Sequence, residues 1–403
     1  MRITLTTLFC CFCLFCFSQD FKQPAPTASA KRLKAASIRA DLEKASLVNK
    51  VEFENIGPAV MSGRVVDLAV NPKNPTEFYV AYASGGLWKT KNNGVSFIPI
   101  FDNEDVLTTG AVAVNWSSGT IWLGTGEVNS SRSSYAGTGI YKSTDDGETW
   151  THLGLAESHH IGRIVLHPDD PNTAWVAVLG HLYSPNKDRG VYKTIDGGKT
   201  WNQTLFENEN AGAIDLVMHP DNPNELYAAI WERQRRAWNF WEAGSGTGIH
   251  KSIDGGLTWT RISTPKSGFP TGENIGRIGL DIYSKNGNTI LFAVVDNQNR
   301  RPEEEKEDTD ELTKADLRKI SVQDFLKLED DQLEAFLRDN GFPKKHTAKS
   351  VKLQIEDGEI EPMTLVEYLE DANSLLFDTP VVGLEVYRSD DSGKKWTKTH
   401  DGF

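Results

Sequence analysis

Beyond residue 16 the 403-residue chain contains no cysteine; Cys10, Cys11, Cys13 and Cys16 are all it has. Disulfides, thiolate nucleophiles and cysteine metal sites are thereby excluded for the rest. Past residue 18 no apolar run is long enough to span a bilayer as a helix. Basic residues are in deficit, 43 Lys and Arg against 56 Asp and Glu, for a net charge of −13. That balance argues against a nucleic-acid partner, whose phosphates call for excess cations. Glycine-rich phosphate loops and nucleophile elbows are also missing. No cofactor is expected, and no metal: His159 and His160 lack partners at metal-ligand spacing, and His167 and His219 precede prolines at repeated positions.

What is present starts with residues 1–18, which read as a signal peptide: Arg2, then apolar residues to Phe17, with Ser18 at the cleavage point. Bulky Phe15 before Cys16 fits a lipobox poorly, so simple export is expected, to the periplasm, cell surface or medium. Residues 19–50 read as a linker with a short surface helix.

The dominant feature is an internal repeat. Four copies of one pattern centre on Asp145-Asp-Gly147, Asp196-Gly-Gly198, Asp254-Gly-Gly256 and Asp391-Ser-Gly393, each closing on a tryptophan (Trp150, Trp201, Trp259, Trp396). A decayed copy, Asn92-Asn-Gly94 with Phe97, precedes them. Each follows a short apolar–polar alternation, so each is a tight turn between two strands. The aspartate can accept main-chain N–H bonds, the glycine supplies positive φ, and the indole can bury against the sheet. Upstream of the turns a second pattern recurs: strand, Pro-punctuated turn, strand, as at 66–81, 162–177 and 214–228.

These turns resemble the Asp-box, or BNR, repeats of β-propellers. The wider pattern resembles the sortilin-type (VPS10-like) propellers of secreted bacterial proteins, many labelled glycosyl hydrolase or xyloglucanase-like. The resemblance spans roughly residues 51–300 and 379–403. It implies an all-β fold of four-stranded blades, roughly fifty residues each, of which five are visible. It also implies that the box hairpins lie at the blade periphery, so that Asp145, Asp196, Asp254 and Asp391 are structural. Relatives have more blades, and the chain is expected to be part of a larger propeller; the alternative is a five-bladed ring closed by 51–53.

Turn glycines fall 53, 51 and 58 residues apart, then 137. The surplus is a small domain, helical and acidic: residues 301–378 hold 22 acidic and 11 basic residues. Capping boxes are expected at Ser321/Asp324 and Thr364/Glu367, and a C-terminal glycine at Gly341. The chain thus divides into blades one to four and the start of five (51–300), the helical insertion (301–378) and the end of blade five (379–403).

Alternating strand direction puts the box hairpins on one face, and the loops between second and third strands on the other, where function is sought. Innermost strands carry Asp67, Ala111, Arg163, Asp215 and Arg277 at one position. These read either as Asp–Arg pairs tying blades together or as a ligand-binding mouth. If the mouth is catalytic, Asp67 and Asp215 are the candidate carboxylates, with Glu127 a third. Ligand contacts are also expected from the loops of blade two (Arg132), three (His181, Tyr183) and four (Trp231, Arg233, Arg236, Trp238, Trp241), where aromatics interleave with arginines. Two functions follow. One is a secreted binding propeller for a peptide, protein or glycan. The alternative is a glycoside hydrolase. The resemblance to Asp-box sialidases and xyloglucanases implies catalytic sets, an arginine triad with a Tyr/Glu pair or two aspartates, that cannot be placed here residue by residue.

Overall fold

The computed structural model describes residues 25–51, 63–129, 134–236, 239–285, 287–301, 311–369 and 381–400. The signal segment 1–18, the 52–53 part of the closing strand, Arg132, Trp238 and the linker at 302–310 lie outside them. The described chain divides into two compact units, residues 1–298 with 383–403, and residues 299–382.

The first unit holds helix α1 (Ser29–Ala45) and five four-stranded antiparallel sheets, the blades of a β-propeller. Blade one is β1 (Val65–Val70), β2 (Phe78–Tyr82), β3 (Gly86–Thr90) and β4 (Ile98–Pro99). Blade two is β5 (Thr109–Asn115), β6 (Thr120–Thr125), β7 (Ile140–Ser143) and β8 (Thr151–His152). Blade three is β9 (Ile161–Leu166), β10 (Ala174–Val178), β11 (Gly190–Thr194) and β12 (Asn202–Leu205). Blade four starts with β13 (Ala211–His219) and β14 (Asn222–Glu232), and its loop carries a small hairpin, β15 (Gln234–Arg235) and β16 (Phe240–Trp241). It ends with β17 (Gly248–Ser252) and β18 (Thr260–Arg261). Blade five is β19 (Ile275–Lys285), β20 (Asn288–Arg300), β21 (Val381–Ser389) and β22 (Thr397–Lys398).

The repeated turns share one bonding scheme, except that in blade five Lys395 stands where the others have threonine and gives Asp391 only its main-chain N–H. In blade three the Thr194 hydroxyl accepts from Gly198 N at 3.0 Å, while Asp196 accepts from Thr200 N at 2.9 Å and from its hydroxyl at 2.6 Å. Gly198 sits at φ +92°, where a Cβ would come within 2.6 Å of Leu153 Cδ1, so glycine is required on both counts. The turn tryptophans reach backward: Trp150 Nε1 donates to Ile100 O, Trp201 Nε1 to Leu153 O and Trp259 Nε1 to Thr204 Oγ1. Each bond stitches a blade to the one before it.

A second repeated device crosses the middle of the blades. Tyr79, Trp122, Trp175 and Tyr227 on second strands pair in register with Lys89, Lys142, Lys193 and Lys251 on third strands. Each ammonium lies 4.6–5.3 Å from its ring centroid, a cross-strand cation–π pair. Around these rings the apolar faces of neighbouring sheets close into buried clusters.

The second unit contains α2 (Lys314–Leu317), α3 (Val322–Phe325), α4 (Asp330–Asp339), α5 (Ala348–Glu356) and α6 (Pro362–Leu369). Its own core is built on Phe325, Leu333, Phe336, Leu337, Val351 and Val366. Ser321 caps α3, and Gly341 ends α4 at φ +73°, with Phe342 N bonded to Leu337 O. Thr364 does not start a helix: α6 begins two residues earlier at Pro362, whose fixed φ and missing N–H suit the first turn. The reciprocal capping boxes lie instead at Thr313/Asp316 and Thr347/Ser350. Among the described residues no helix is long and apolar enough to cross a membrane.

Candidate functional site

At the inner strands Arg163 is shared by two carboxylates. Its Nε donates to Asp215 at 2.9 Å and its Nη1 to Asp67 at 3.0 Å, across blade two, where Ala111 leaves room. Both aspartates also accept a main-chain N–H from the next blade, Asp67 from Val112 and Asp215 from Leu280. The pair is therefore joined through one guanidinium and bonded into the strands. Burial pushes the Asp67 carboxyl above its ordinary range, against the opposing pull of Arg163. Arg277 lies beside them, its Nη1 3.4 Å from Val128 O and its guanidinium over the Trp231 ring.

Outside this ring, the loops after second strands and those leading into the next first strand meet one another. Glu127 is fully buried, with Arg64 on one oxygen. Arg233 is also fully buried and donates to Asn129 O and Ser134 Oγ in blade two. Arg189 supports it from blade three by donating to the carbonyl of Arg233. Burial lowers both guanidinium pKa values to about 10. Trp231 and Arg233 thus stand inside the loop layer and not on an exposed rim. The reason is the length of β14, which runs eleven residues and carries Trp231 within the sheet. Arg64 carries no signal in the sequence, as a lone arginine 63 residues from Glu127.

Strand β16 of the hairpin above is exposed. Phe240 and Trp241 are 47% and 55% exposed, with Arg235 and Arg236 stacked near their rings. They edge a cavity of about 520 Å³ whose polar wall is Glu232, Glu242, Glu273, Asn274 and Gln298. The Glu232 carboxylate is positioned by Gly246 N at 2.8 Å. Two bonds to main-chain carbonyls fix the hairpin base: Arg235 N donates to Leu182 O, and the Trp231 indole Nε1 to Glu242 O. Tyr183 is half-exposed in the neighbouring loop.

His181 is buried in that same loop, and its ring lies 3.9 Å from that of His159, centroid to centroid. Glu157 completes the group, with Oε2 3.8 Å from His159 Nε2 and 3.7 Å from His181 Nε2. Burial, with His181 alongside, pulls His159 down to about 3; burial also lowers His181. Spacing along the chain offered His159 no partner, because its partner arrives from a different loop of blade three.

Three comparisons bear on this arrangement. The profile of the Sortilin-Vps10 family (sortilin, neurotensin receptor 3) matches residues 138–340. A probable oligoxyloglucan-reducing end-specific xyloglucanase of Neosartorya fischeri is 29% identical over 153 residues, 36% of this chain and 17% of that protein. A xyloglucanase of Hypocrea jecorina is 28% identical over 194 residues, 45% of this chain and 19% of the relative. The matched stretches span less than a fifth of those relatives' lengths. The crystal structure of a Xanthomonas campestris xyloglucanase superposes with a TM-score of 0.45 at 14% identity, covering 84% of this chain and 38% of that one. The family profile covers just over half of the 403 residues, from the third strand of blade two through the turns at Asp145, Asp196 and Asp254 and on into the second unit, and on these grounds the chain belongs to the Sortilin-Vps10 family.

Proposed function

We propose that this protein is an exported propeller whose box-free face binds a glycan chain in the groove beside Phe240 and Trp241. The observation that carries the reading is the pairing of two exposed aromatic rings with a wall of carboxylates and amides around one cavity. Aromatic faces suit the C–H faces of sugars, and convergent polar groups can bond their hydroxyls. The activities named for the fungal relatives place their substrates in the xyloglucan class, which makes that polysaccharide the first ligand to try. A basic peptide is the second binding reading, because three carboxylates line the same wall.

A glycoside hydrolase working through Asp67 and Asp215, with Glu127 as a further carboxylate, is the alternative. One observation favours it: burial raises the Asp67 pKa, as a general acid requires. Against it, Arg163 and main-chain N–H groups already occupy both aspartates. The test is reducing-end release across a polysaccharide panel, run alongside retention of the protein on the same insoluble substrates. Retention without release is the expected result. Turnover that Asp67→Asn or Asp215→Asn abolishes would instead establish the hydrolase.

A further inference from the structure

We propose that Glu157, His159 and His181 form a binding site for a divalent transition-metal ion, zinc before others, on the loop face of blade three. One ligand atom from each residue lies within 4.8 Å of the other two. The Glu157 Oε2 to Nε2 separations, 3.8 and 3.7 Å, are too long for hydrogen bonds. They are near what a shared ion needs: ligands about 2.0–2.2 Å from zinc stand roughly 3.3–3.6 Å apart in a tetrahedron. Both Nε2 atoms are buried and have no hydrogen-bond partner among the described residues, an arrangement that costs free energy unless something fills it. His181 is only 7% exposed overall, so water does not readily supply that partner.

The supporting contacts leave the correct atoms free. Ser29 N, at the start of α1, donates to Glu157 Oε1 at 2.7 Å, so Oε2 is left to turn toward the rings. Arg32 makes only a long ion pair with Oε2, at 3.8 Å, while its Nη1 and Nη2 donate to the carbonyls of Gly137 and Ala156. Two non-glycine residues with positive φ bracket the short Ala156–Ser158 turn: Leu155 at +54° and His159 at +55°. At His159 the chain makes a γ-turn, with His160 N bonded to Ser158 O, a strained conformation that brings its ring over His181. Two imidazoles and one carboxylate make a zinc set with an open position for water or a ligand group. Asp188, with Oδ2 3.8 Å from His181 Nε2, stands beside that position.

The experiment is equilibrium dialysis of the untagged mature protein against Zn²⁺ with metal quantification, and against Co²⁺ with visible absorption. One ion per chain and an absorption band of tetrahedral cobalt are expected. Glu157→Gln, which keeps the side chain's size on a partly exposed residue, should weaken zinc at least about tenfold. His181→Gln should abolish the cobalt band. If His181→Gln fails to fold, Glu157→Gln decides alone. No stoichiometric zinc in the wild type, or zinc affinity unchanged in Glu157→Gln, would overturn the assignment.

Discussion

On one face of the blades a single turn is made four times, with the same main-chain bonds to its aspartate and glycine. On the other, the loops of blades two, three and four differ in length, sequence and partners. In the turns each aspartate spends its oxygens on N–H and hydroxyl groups within five residues, as Asp145 does on Ser143 and Thr149. In the loops the charged groups reach far along the chain, Arg64 to Glu127 and Arg233 to Ser134. The contrast teaches that repetition marks stitching between blades, while the groove with its exposed rings and wall of carboxylates sits where repetition stops.

The strongest way to break this comparison is to remove a stitch. Trp175 is buried, and its Nε1 donates to Gly255 O in the next blade's turn at 2.9 Å. Trp175→Ala should cost about 3–5 kcal/mol, read from urea denaturation, through lost packing and the cavity left behind. Ligand retention by the protein that remains folded should not change.

A smaller effect tests the turns through pH. Hydrogen bonds from Thr149 and Thr200, hydroxyl first and then N–H, hold Asp145 and Asp196 down to about 2 from 3.8. A carboxylate whose folded pKa is depressed contributes stability that is fully present above its unfolded pKa. That contribution is lost as pH falls through the folded value. The denaturation midpoint of the wild type should therefore drop between about pH 4 and pH 2. The double variant Asp145→Asn/Asp196→Asn should drop less over that window, so that the two curves converge at its acid end. Parallel curves would mean that these carboxylates do not stabilise the fold.

The smallest change sharpens the decayed copy. Asn92 Oδ1 already accepts from Ser96 N at 3.0 Å, and its Nδ2 donates to Ser96 Oγ. Asn92→Asp would reverse the second bond and reproduce the other turns. A gain below about 0.5 kcal/mol in thermal or urea unfolding is expected, in keeping with an exposed position.

The propeller was legible because its signals are local and repeated. Asp, Gly and Trp at fixed offsets report a hairpin whatever surrounds it. The lysine–aromatic pairs were equally periodic, yet they became visible only once the strand register aligned Lys142 with Trp122. Much of the candidate site was not legible, for a physical reason: its contacts join loops that are distant in sequence. Nothing along the chain tells Glu157 that His181 lies beside it. The burial of Trp231 was hidden too, since the aromatic and arginine run Trp231–Trp241 reads the same whether β14 stops before it or continues into it. Trp241 stands exposed only because the chain turns back at β15 and β16.

The most direct measurement compares one residue from each face. Retention on immobilised xyloglucan would be titrated for the wild type, Trp241→Ala and Asp196→Asn, with folding checked by circular dichroism. Trp241→Ala should weaken binding at least tenfold, about 1.4 kcal/mol, while Asp196→Asn leaves affinity unchanged. Unaltered binding by Trp241→Ala, or loss of binding by folded Asp196→Asn, would contradict the assignment of function to the box-free face.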